Sequence, residues 1–352
     1  MLLVLSLMAA VWGAGVLTRA PVRLRLGMIG AIWAAVTLLH LVLPAGHPLR
    51  AATGGDARAW AAMAVVLLAV VGYRAGLARL RVRAAPPAAV PAADGGTFRE
   101  AELNRYARHI MLREIGGTGQ RRLKSARVLV VGAGGLGSPI LLYLAAAGVG
   151  TIGIIDDDDV EGSNLQRQIV HTDARIGMPK VFSAEAAMRA LNPFIEILPY
   201  RRRCTPADAA DLLAGFDLVI DGTDSFETRE AVNAAAVAAG IPLVWGAITQ
   251  WEGQVTVWDP ARGGPCYACV FPQRPAPGMV PTCAEAGVAA PLPGVIGAMM
   301  AAEAVKLVTG AGLPLRGRLT IHDALDAETR VIGVKRRPDC PVCGDAARAA
   351  GV

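Results

Sequence analysis

The stretch Arg127–Gly137 reads RVLVVGAGGLG: a short apolar run, a glycine-rich turn and the start of a helix. Gly132, Gly134 and Gly137 have the G-x-G-x-x-G spacing, which turns backbone N–H groups and a helix N-terminus toward a phosphate. Asp156 ends the next apolar run, at the spacing expected for an acid that binds a ribose hydroxyl. This pattern predicts a Rossmann-like nucleotide site and by itself favours a dinucleotide dehydrogenase. A turn that serves only helix packing is the alternative.

Strands and helices alternate around this turn. The clearest predicted strands are Arg127–Val131, Thr151–Ile155, Asp217–Ile220 and Ile241–Trp245, and the helices between them include Leu136–Ala147, Ser183–Leu191 and Thr228–Ala239. Such alternation predicts an α/β fold with a mostly parallel sheet and helices on both faces. Three later strands lack intervening helices and predict an antiparallel extension: Val255–Trp258, Leu319–His322 and Arg330–Val334.

Polar residues suited to phosphate follow Asp156. Ser163–Gln168 reads SNLQRQ and Gly177–Lys180 reads GMPK, which together supply an amide, a guanidinium and an ammonium. A cluster of this kind neutralises a triphosphate or a leaving pyrophosphate, and hydride transfer does not require it. Solvated surface charge is the alternative for Arg167 and Lys180.

Acidic residues in two places are candidates for binding Mg²⁺. The sequence DGTD, at Asp221–Asp224, ends a predicted strand. Ligands of open α/β sheets bind at that edge. Asp224 is therefore predicted to hold Mg²⁺ or to orient the phosphates. Asp158, in the run of four aspartates that begins at Asp156, is a second candidate for Mg²⁺.

These motifs together resemble the ThiF/MoeB/HesA family of E1-like adenylyltransferases, and within it the molybdopterin-synthase adenylyltransferases most. The resemblance runs from about Phe98 to Gly344 and implies ATP as the nucleotide. The predicted nucleotide-binding residues are Gly132, Gly134, Gly135, Gly137, Asp156, Ser163, Asn164, Gln166, Arg167, Lys180, Asp224 and Ser225. The family more often has Asn at the position of Ser225.

The resemblance also implies a homodimer. An arginine of the RYxRH segment, here Arg105–His109, enters the partner subunit's site in this family, and that role falls to Arg108. The predicted catalytic residues are Asp224, Arg108, Arg167, Lys180 and Cys283.

Six cysteines fall into two classes. Cys266 with Cys269, and Cys340 with Cys343, form two C-x-x-C pairs, which predict a structural four-thiolate Zn²⁺ site. Two disulfides are the alternative.

The two remaining cysteines, Cys283 and Cys204, lack such a motif. Cys283 lies in the Pro- and Gly-containing stretch PTCAEAGV. The matching family cysteine belongs to a mobile loop that serves thioester or persulfide chemistry. A buried apolar role is the alternative, because reactivity requires a lowered thiol pKa. Cys204 has no partner motif and is interpreted as incidental.

The N-terminal part is unusually apolar. Three runs without charge, Met1–Leu17, Leu26–Leu43 and Ala59–Tyr73, are each slightly shorter than the roughly 20 residues that span a bilayer. They predict about three transmembrane helices. A cleaved signal peptide is the alternative for the first run, but that run lacks a positively charged start. The predicted organisation is an anchor at 1–83 (spans near 1–17, 26–43 and 59–73), a Pro/Ala/Gly linker at 84–97 and an adenylyltransferase domain at 98–352.

The distribution of charge predicts the topology. Arginines flank the first and third runs at Arg19, Arg23, Arg25, Arg74, Arg79, Arg81 and Arg83. Positive residues collect on the cytoplasmic side. The expected location is thus the inner (cytoplasmic) membrane, multi-pass, with the N-terminus outside and the catalytic domain in the cytoplasm. Residues 1–96 carry a net charge of +7 and the remainder −1. Because a nucleic-acid footprint belongs on the folded domain, no nucleic-acid partner is predicted.

The expected reaction is ATP-dependent adenylation of the C-terminal glycine carboxylate of a ubiquitin-like sulfur-carrier protein. The expected pathway is molybdenum cofactor biosynthesis, with a sulfurtransferase or cysteine desulfurase as the sulfur donor. Three alternatives stay open: activation of the thiamine-pathway carrier, a non-catalytic membrane-tethered module that binds ubiquitin-like tails, and an NAD-dependent oxidoreductase.

Overall fold

The computed structural model describes residues 2–18, 21–44, 46–54, 58–63, 98–274 and 286–344, with short pieces at 65–66, 69–70, 72–73 and 76. The chain divides into two compact units, Met1–Ala88 and Ala89–Val352. The predicted linker at 84–97 and Cys283 both lie outside the described residues.

The second unit is built on one eight-stranded sheet with the order β3-β2-β1-β4-β5-β6-β7-β8. Its strands are β1 (Arg127–Val131), β2 (Thr151–Ile155), β3 (Glu196–Tyr200), β4 (Leu218–Asp221), β5 (Leu243–Ile248), β6 (Glu252–Trp258), β7 (Arg318–Asp323) and β8 (Glu328–Gly333). The first five pair in parallel. From β5 onward the pairing is antiparallel. The predicted parallel sheet with an antiparallel extension is therefore confirmed.

Helices cover both faces of this sheet. In chain order the α-helices among the described residues of the second unit are α4 (Glu100–Ile110), α5 (Gly116–Ser125), α6 (Gly137–Ala147), α7 (Lys180–Leu191), α8 (Pro206–Leu213), α9 (Phe226–Ala239), α10 (Tyr267–Val270) and α11 (Leu292–Thr309). Alternate residues of each strand enter different cores, as the pleat requires. In β1, Val128 and Val130 pack in a core with α6, α7 and α11, whereas Leu129 and Val131 pack in a core with α8 and α9.

The first unit contains α1 (Leu2–Leu17), α2 (Val22–Val42) and α3 (Pro48–Thr53). Its buried core includes Val4, Val36 and Trp60. Two helices in the described chain are long and apolar enough to cross a membrane, Leu24–Val42 and Leu292–Thr309. Half of the second one is buried, and it contributes to the core beneath the sheet as α11.

The expectation of about three transmembrane helices is therefore corrected. Only Leu24–Val42 meets the length criterion within the described part of the first unit. Helix α1 has 16 residues, about 24 Å at 1.5 Å per residue, which is shorter than the roughly 30 Å hydrocarbon core. The third predicted span, 59–73, contains residues outside the described chain.

Candidate active site

A cavity of about 450 Å³ lies beyond the carboxyl ends of the parallel strands. Val131 at the end of β1 is aligned with Ile155 of β2 on one side and with Asp221 of β4 on the other. The turns that follow these three strands all contribute lining residues. The volume falls within the range of small-molecule sites, and the position is the one at which open α/β sheets bind ligands.

The turn between β1 and α6 forms one wall. Gly132 has a φ of +95°, a conformation that residues with a Cβ rarely adopt. A Cβ on Gly137 would overlap the carbonyl oxygen of Gly132, so this glycine permits the close return of the chain. Gly134 and Gly135 line the cavity at the N-terminus of α6. The turn thus has the geometry that its glycine spacing predicts.

Asp156 closes the cavity at the end of β2. Its carboxylate accepts hydrogen bonds from the backbone N–H of Ala133 at 2.8 Å and of Asp158 at 2.9 Å. Burial raises the pKa of Asp156, while the Lys180 charge and these two hydrogen bonds oppose the shift. The carboxylate is therefore fixed against the glycine turn, where an acid for a ribose hydroxyl is expected.

Two predicted cations, Arg167 and Lys180, also line the cavity. The Arg167 guanidinium donates to Asn164 Oδ1 at 2.9 Å. Lys180 begins α7, and its Nζ lies 2.6 Å from Asp158 Oδ2. The Lys180 side chain is only 6% exposed, whereas that of Asp158 is 62% exposed. Asn164, Arg167 and Lys180 all line the cavity, which makes the cavity suited to an anionic ligand.

The turn after β4 carries Asp224 and Ser225. Both are exposed and line the cavity. Ser225 caps α9 by accepting from the Thr228 N–H at 3.4 Å. Within the described chain, Asp224 accepts no hydrogen bond and forms no ion pair. Its carboxylate is therefore available to bind a ligand in the cavity. Asp156, Asp157 and Asp158 form a separate acidic group able to hold a cation, and all three line the same cavity.

Not every predicted residue reaches the cavity. Ser163 and Gln166 are exposed and lie outside its lining. Gln168 lines it instead and is 5% exposed, with its Oε1 unpaired among the described residues. Gly137, at the start of α6, does not line the cavity either. Arg108 is exposed on α4 and does not line the cavity of its own chain.

Several lining residues were not predicted. Arg202 and Arg203 follow β3, and Arg203 Nε lies 3.3 Å from Asp157 Oδ2. Arg229, on α9, donates from Nε and Nη2 to the Thr223 carbonyl at 3.2 and 2.7 Å. Their positions in the sequence could have indicated them. Arg202 and Arg203 lie just beyond the end of a strand, and Arg229 lies in the first turn of the helix that follows a strand.

Two buried side chains, those of His171 and Asp221, form hydrogen bonds to the turns that line the cavity. His171 lies 2.9 Å from the Ala133 carbonyl through Nε2 and 2.9 Å from Ser183 Oγ through Nδ1. Because a carbonyl only accepts, Nε2 carries the proton and Nδ1 accepts from the hydroxyl. Asp221 Oδ1 accepts from the N–H and the hydroxyl of Thr223, at 2.9 and 2.7 Å. Its Oδ2 has no partner in the described part of the chain, and burial raises the pKa of this carboxyl.

The two C-x-x-C pairs come together away from this cavity. All four cysteines are buried, and their sulfur atoms lie within 4.8 Å of one another. Three of the Sγ–Sγ distances are 3.4, 3.6 and 3.9 Å. Zinc–sulfur bonds of about 2.3 Å in a tetrahedron require sulfur atoms about 3.8 Å apart, whereas a disulfide requires about 2.0 Å. The Arg337 N–H also donates to Cys269 Sγ at 3.4 Å. The donor set fits Zn²⁺.

Cys204 is buried and unpaired with the other cysteines. It lines the cavity, and burial raises the pKa of its thiol to about 11. A thiol with a raised pKa is a poor nucleophile, which agrees with its interpretation as incidental.

Comparisons with known proteins extend over nearly all of the second unit. Residues 106–342 match the ThiF family. A sulfur carrier protein adenylyltransferase of Thermus thermophilus is 51% identical over 248 residues, covering 69% of this chain and 92% of the relative. A SAMP-activating enzyme E1 of Haloferax volcanii is 49% identical, covering 69% of this chain and 90% of the relative. An adenylyltransferase and sulfurtransferase MOCS3 of Bos taurus is 49% identical, with 69% of this chain and 54% of the relative covered.

Among solved structures, E. coli MccB with MccA-N7isoAsn superimposes with a TM-score of 0.62 at 22% identity, covering 69% of this chain and 75% of that one. This likeness concerns the fold alone. The sheet, the glycine turn and the cations of the cavity define a nucleotide-using enzyme of the open α/β class. The chain belongs to the ThiF family, and it is an E1-like adenylyltransferase. The alternatives of an oxidoreductase and of a non-catalytic module are thereby set aside.

Proposed function

We propose that this enzyme uses ATP to adenylate the C-terminal glycine carboxylate of a ubiquitin-like sulfur-carrier protein. The observation that carries the proposal is the grouping of Asn164, Arg167, Lys180 and Asp224 around one cavity with the glycine turn. The names of the relatives from Thermus thermophilus and Haloferax volcanii support the acceptor class.

The proposed reaction transfers the adenylyl group of ATP to the carrier's carboxylate. A carboxylate oxygen of the carrier forms a bond to the α-phosphorus of ATP, and the bond from that phosphorus to the α,β-bridging oxygen breaks. Pyrophosphate leaves with the bond's electron pair, and an acyl-adenylate remains. No general base is required, because the attacking carboxylate is already an anion. Catalysis then consists of positioning and of neutralising charge on the phosphates, through Arg167 and Lys180.

Mg²⁺ and Zn²⁺ have separate roles in this proposal. Mg²⁺ supplies charge neutralisation at the phosphates, and Asp224 and Asp158 are the residues that would hold it. Zn²⁺ supplies structural cross-linking through Cys266, Cys269, Cys340 and Cys343. The uncommitted Asp224 carboxylate supports the first role, and the four converging sulfur atoms support the second.

The proposal also names the biosynthetic pathway that the carrier serves. We assign the carrier to molybdenum cofactor biosynthesis and the sulfur donor to a sulfurtransferase or a cysteine desulfurase. Relatives named MOCS3 combine adenylyltransferase with sulfurtransferase, which supports a sulfurtransferase partner. The thiamine-pathway carrier is the second candidate, because the same chemistry would activate it. Cys283 would act after adenylation, in sulfur transfer.

A homodimer and a membrane anchor complete the proposal. Arg108 is exposed on α4 and lies outside the cavity of its own chain, which supports a role in the partner subunit's site. The exposed apolar helix Leu24–Val42 supports anchoring of the enzyme in the inner membrane, with the catalytic unit in the cytoplasm.

ATP–pyrophosphate exchange with purified carriers tests the proposed function. We expect exchange that depends on the carrier, with the molybdenum-pathway carrier giving a higher kcat/KM than the thiamine-pathway carrier. The reverse preference would transfer the assignment to the thiamine pathway. Absence of exchange with every ubiquitin-like carrier would show that the acceptor class is wrong.

A further inference from the structure

The segment Arg105–His109 lies on helix α4, and its polar side chains have two different environments. Successive residues of a helix are about 100° apart around the axis, so Arg108 lies about 200° from Tyr106. Tyr106 is buried, with 3% of its surface exposed, whereas Arg108 is exposed. One face of α4 therefore packs on its own chain, while Arg108 lies on the other side of the helix.

Tyr106 is connected to the ends of two helices through Asn192. The Asn192 amide Nδ2 donates to the Tyr106 hydroxyl at 2.8 Å and to the Ala145 carbonyl at 2.6 Å. Asn192 is fully buried and directly follows α7, and Ala145 lies in the last turn of α6. This contact therefore joins α4 to the C-terminal ends of both α6 and α7.

His109 and Arg105 make contacts to the same two helix ends. Gln120 is buried on α5, and its Nε2 donates to the carbonyl of Ala147, the last residue of α6, at 2.8 Å. Its Oε1 therefore faces His109 Nδ1, at 3.3 Å, and this ring nitrogen carries the proton. The Arg105 guanidinium donates to the carbonyl of Leu191, the last residue of α7, at 2.7 Å. Three side chains of α4 thus converge on the ends of α6 and α7.

Arg108 has no such contact. Its guanidinium forms no hydrogen bond or ion pair with any residue that the structure describes, and it does not line the cavity of its own chain. Met111, three positions further on, has right-handed helical backbone angles and is 75% exposed. Residues three apart share a face of a helix. This face thus presents an unpaired cation beside an exposed apolar side chain, a composition that favours contact with another chain.

The contacts of α4 lie at the far ends of helices that begin at the nucleotide cavity. Helix α6 follows the glycine turn, and α7 begins at Lys180, which lines the cavity. With 11 and 12 residues, these helices are about 16 and 18 Å long. The contacts are therefore about one helix length away from the cavity of their own chain. A direct effect of α4 on the reaction is expected in the partner subunit instead.

We propose that Arg105, Tyr106 and His109 are positioning residues, which fix α4 so that Arg108 enters the partner subunit's nucleotide site. This inference rests on the proposed function and on its homodimer. Contacts to the ends of two packed helices leave the backbone at Arg108 little freedom to move. Such precision matters, because a displacement of about 1 Å in a positioned group can cost about 100-fold in rate.

Mixed dimers test whether these contacts act within one chain or across the dimer. Tyr106→Phe removes only the hydroxyl group that Asn192 binds, and His109→Ala removes the contact with Gln120. As homodimers, both variants should lower kcat for carrier-dependent pyrophosphate exchange by about ten- to 100-fold. Each variant is then co-expressed with Asp224→Ala that carries a second tag, and the mixed dimer is purified through both tags.

The mixed dimer should have one working site, giving about half of the wild-type rate per dimer. The Tyr106→Phe chain keeps its own Asp224 and receives the partner's Arg108, which an intact α4 positions. The site of the Asp224→Ala chain is inactive in any case. If the contacts acted only within their own chain, through α6 and α7, the mixed dimer would exchange no faster than the Tyr106→Phe homodimer. That result would show that the inference is wrong.

Two further variants are controls. Arg108→Gln removes the cation itself, and Asp224→Ala should restore its exchange in the same way. Arg113→Gln removes a cation just after α4 that pairs with Glu114 and has a 94% exposed side chain. This variant should exchange at the wild-type rate, which shows that loss of positive charge near α4 is not sufficient to impair the enzyme.

The outcomes separate this inference from the proposed function. Wild-type exchange in the Tyr106→Phe and His109→Ala homodimers would overturn the inference. If Tyr106→Phe does not fold, His109→Ala decides the question, because His109 is only partly buried. If the mixed dimer does not restore Arg108→Gln, no arginine crosses the interface, and both the proposed dimer role and this inference fail. Absence of carrier-dependent exchange in wild type would contradict the proposed adenylation itself, and this inference would fail with it.

Discussion

At the scale of single residues, Asp224 and Cys283 give the sharpest contrast. The Asp224 carboxylate faces the cavity without a hydrogen bond or ion pair in the described chain, so its removal leaves no buried partner unsatisfied. Asp224→Ala should therefore lower pyrophosphate exchange by about 100- to 1,000-fold, the usual loss for one charge-positioning group. The thermal midpoint and zinc content should stay at wild-type values. Near-normal exchange in this variant would contradict the role of Asp224.

Cys283→Ala should behave differently in the same assay. Adenylation requires no thiol, so exchange should persist, and only the later transfer of sulfur to the carrier should fall. Loss of exchange in this variant would show that Cys283 acts earlier than proposed.

The raised pKa of Asp221 predicts that the free energy of unfolding depends on pH. Burial raises the pKa of this carboxyl in the folded state above its ordinary value. The folded state therefore binds the proton more readily than the unfolded state does. Wild type should gain stability relative to Asp221→Asn as the pH falls through the raised folded pKa. The gain should be complete below the unfolded value of about 3.9.

Thermal midpoints of wild type and Asp221→Asn, measured from neutral pH downward, check this prediction. A difference between the two midpoints that does not change with pH would mean that Asp221 has the same pKa in both states.

Most of the predicted nucleotide-binding residues line the cavity, and the exceptions have physical causes. In SNLQRQ both glutamines are equally suited to phosphate, but Gln168 lines the cavity and Gln166 does not. The segment includes a short 3-10 helix and turns, without a steady period from which side-chain direction could be inferred. Arg202 and Arg203 were missed because the strand before them was missed.

At the scale of secondary-structure elements, the β1–α6 turn allows a paired test. A methyl group on Gly137 would overlap the Gly132 carbonyl oxygen, whereas one on Gly134 would have its nearest neighbour, Gln168 Nε2, at 3.7 Å. Gly137→Ala should therefore destabilise the fold by about 1–3 kcal/mol. Gly134→Ala should keep wild-type stability but raise KM for ATP, because its methyl group stands where the backbone approaches phosphate.

Thermal unfolding combined with ATP titration distinguishes the two glycine variants. Equal loss of stability in both would contradict the distinction drawn between packing and nucleotide approach.

The four-cysteine cluster connects the α10 region to the C-terminal segment. Cys340→Ser should lower the thermal midpoint by more than about 5 °C, because loss of a metal ligand is a large perturbation and each kcal/mol shifts a domain of this size by about 2–4 °C. Activity should fall only as a consequence. Metal analysis should find one zinc per chain in wild type and in the control Cys204→Ser. An active, pure enzyme without zinc would contradict this prediction.

The elements were predictable where the burial pattern was simple. Strand β1 matches its predicted bounds, because its apolar run is uninterrupted and is followed by a glycine turn. Strand β3 was not predicted. Its sequence EILPY contains Pro199, which disfavours a central strand. The proline is tolerated because β3 lies at the edge of the sheet and pairs only with β2.

At the scale of the whole molecule, the two units should be separable. Deleting residues 1–96 should yield a protein that needs no detergent and still adenylates its carrier, because the cavity is lined entirely by residues of the second unit. Pyrophosphate exchange and sedimentation of the truncated protein check this. A folded but inactive truncation would show that the N-terminal unit contributes to catalysis.

Protease accessibility tests the proposed topology. Protease added to the outer face of sealed cells should leave the catalytic unit intact, and cleavage after Tyr73 from outside would reverse the orientation. Composition alone marked the N-terminal part as apolar, but it did not settle the number of spans. Apolar runs of 15 to 18 residues are compatible both with short spans and with packed helices, and helix α11 has similar composition in a buried position.

The separation of the two cysteine pairs along the chain also determines the order of events during synthesis. Cys266 and Cys340 are 74 residues apart. At ordinary translation rates of about 5–20 residues per second, roughly 4–15 s pass between the appearance of the first pair and that of the second. All five parallel strands leave the ribosome before the second pair does. The nucleotide-binding half of the sheet is thus synthesised before the first two thiols have their partners, so the proposed Zn²⁺ site can form only after that half of the sheet has left the ribosome.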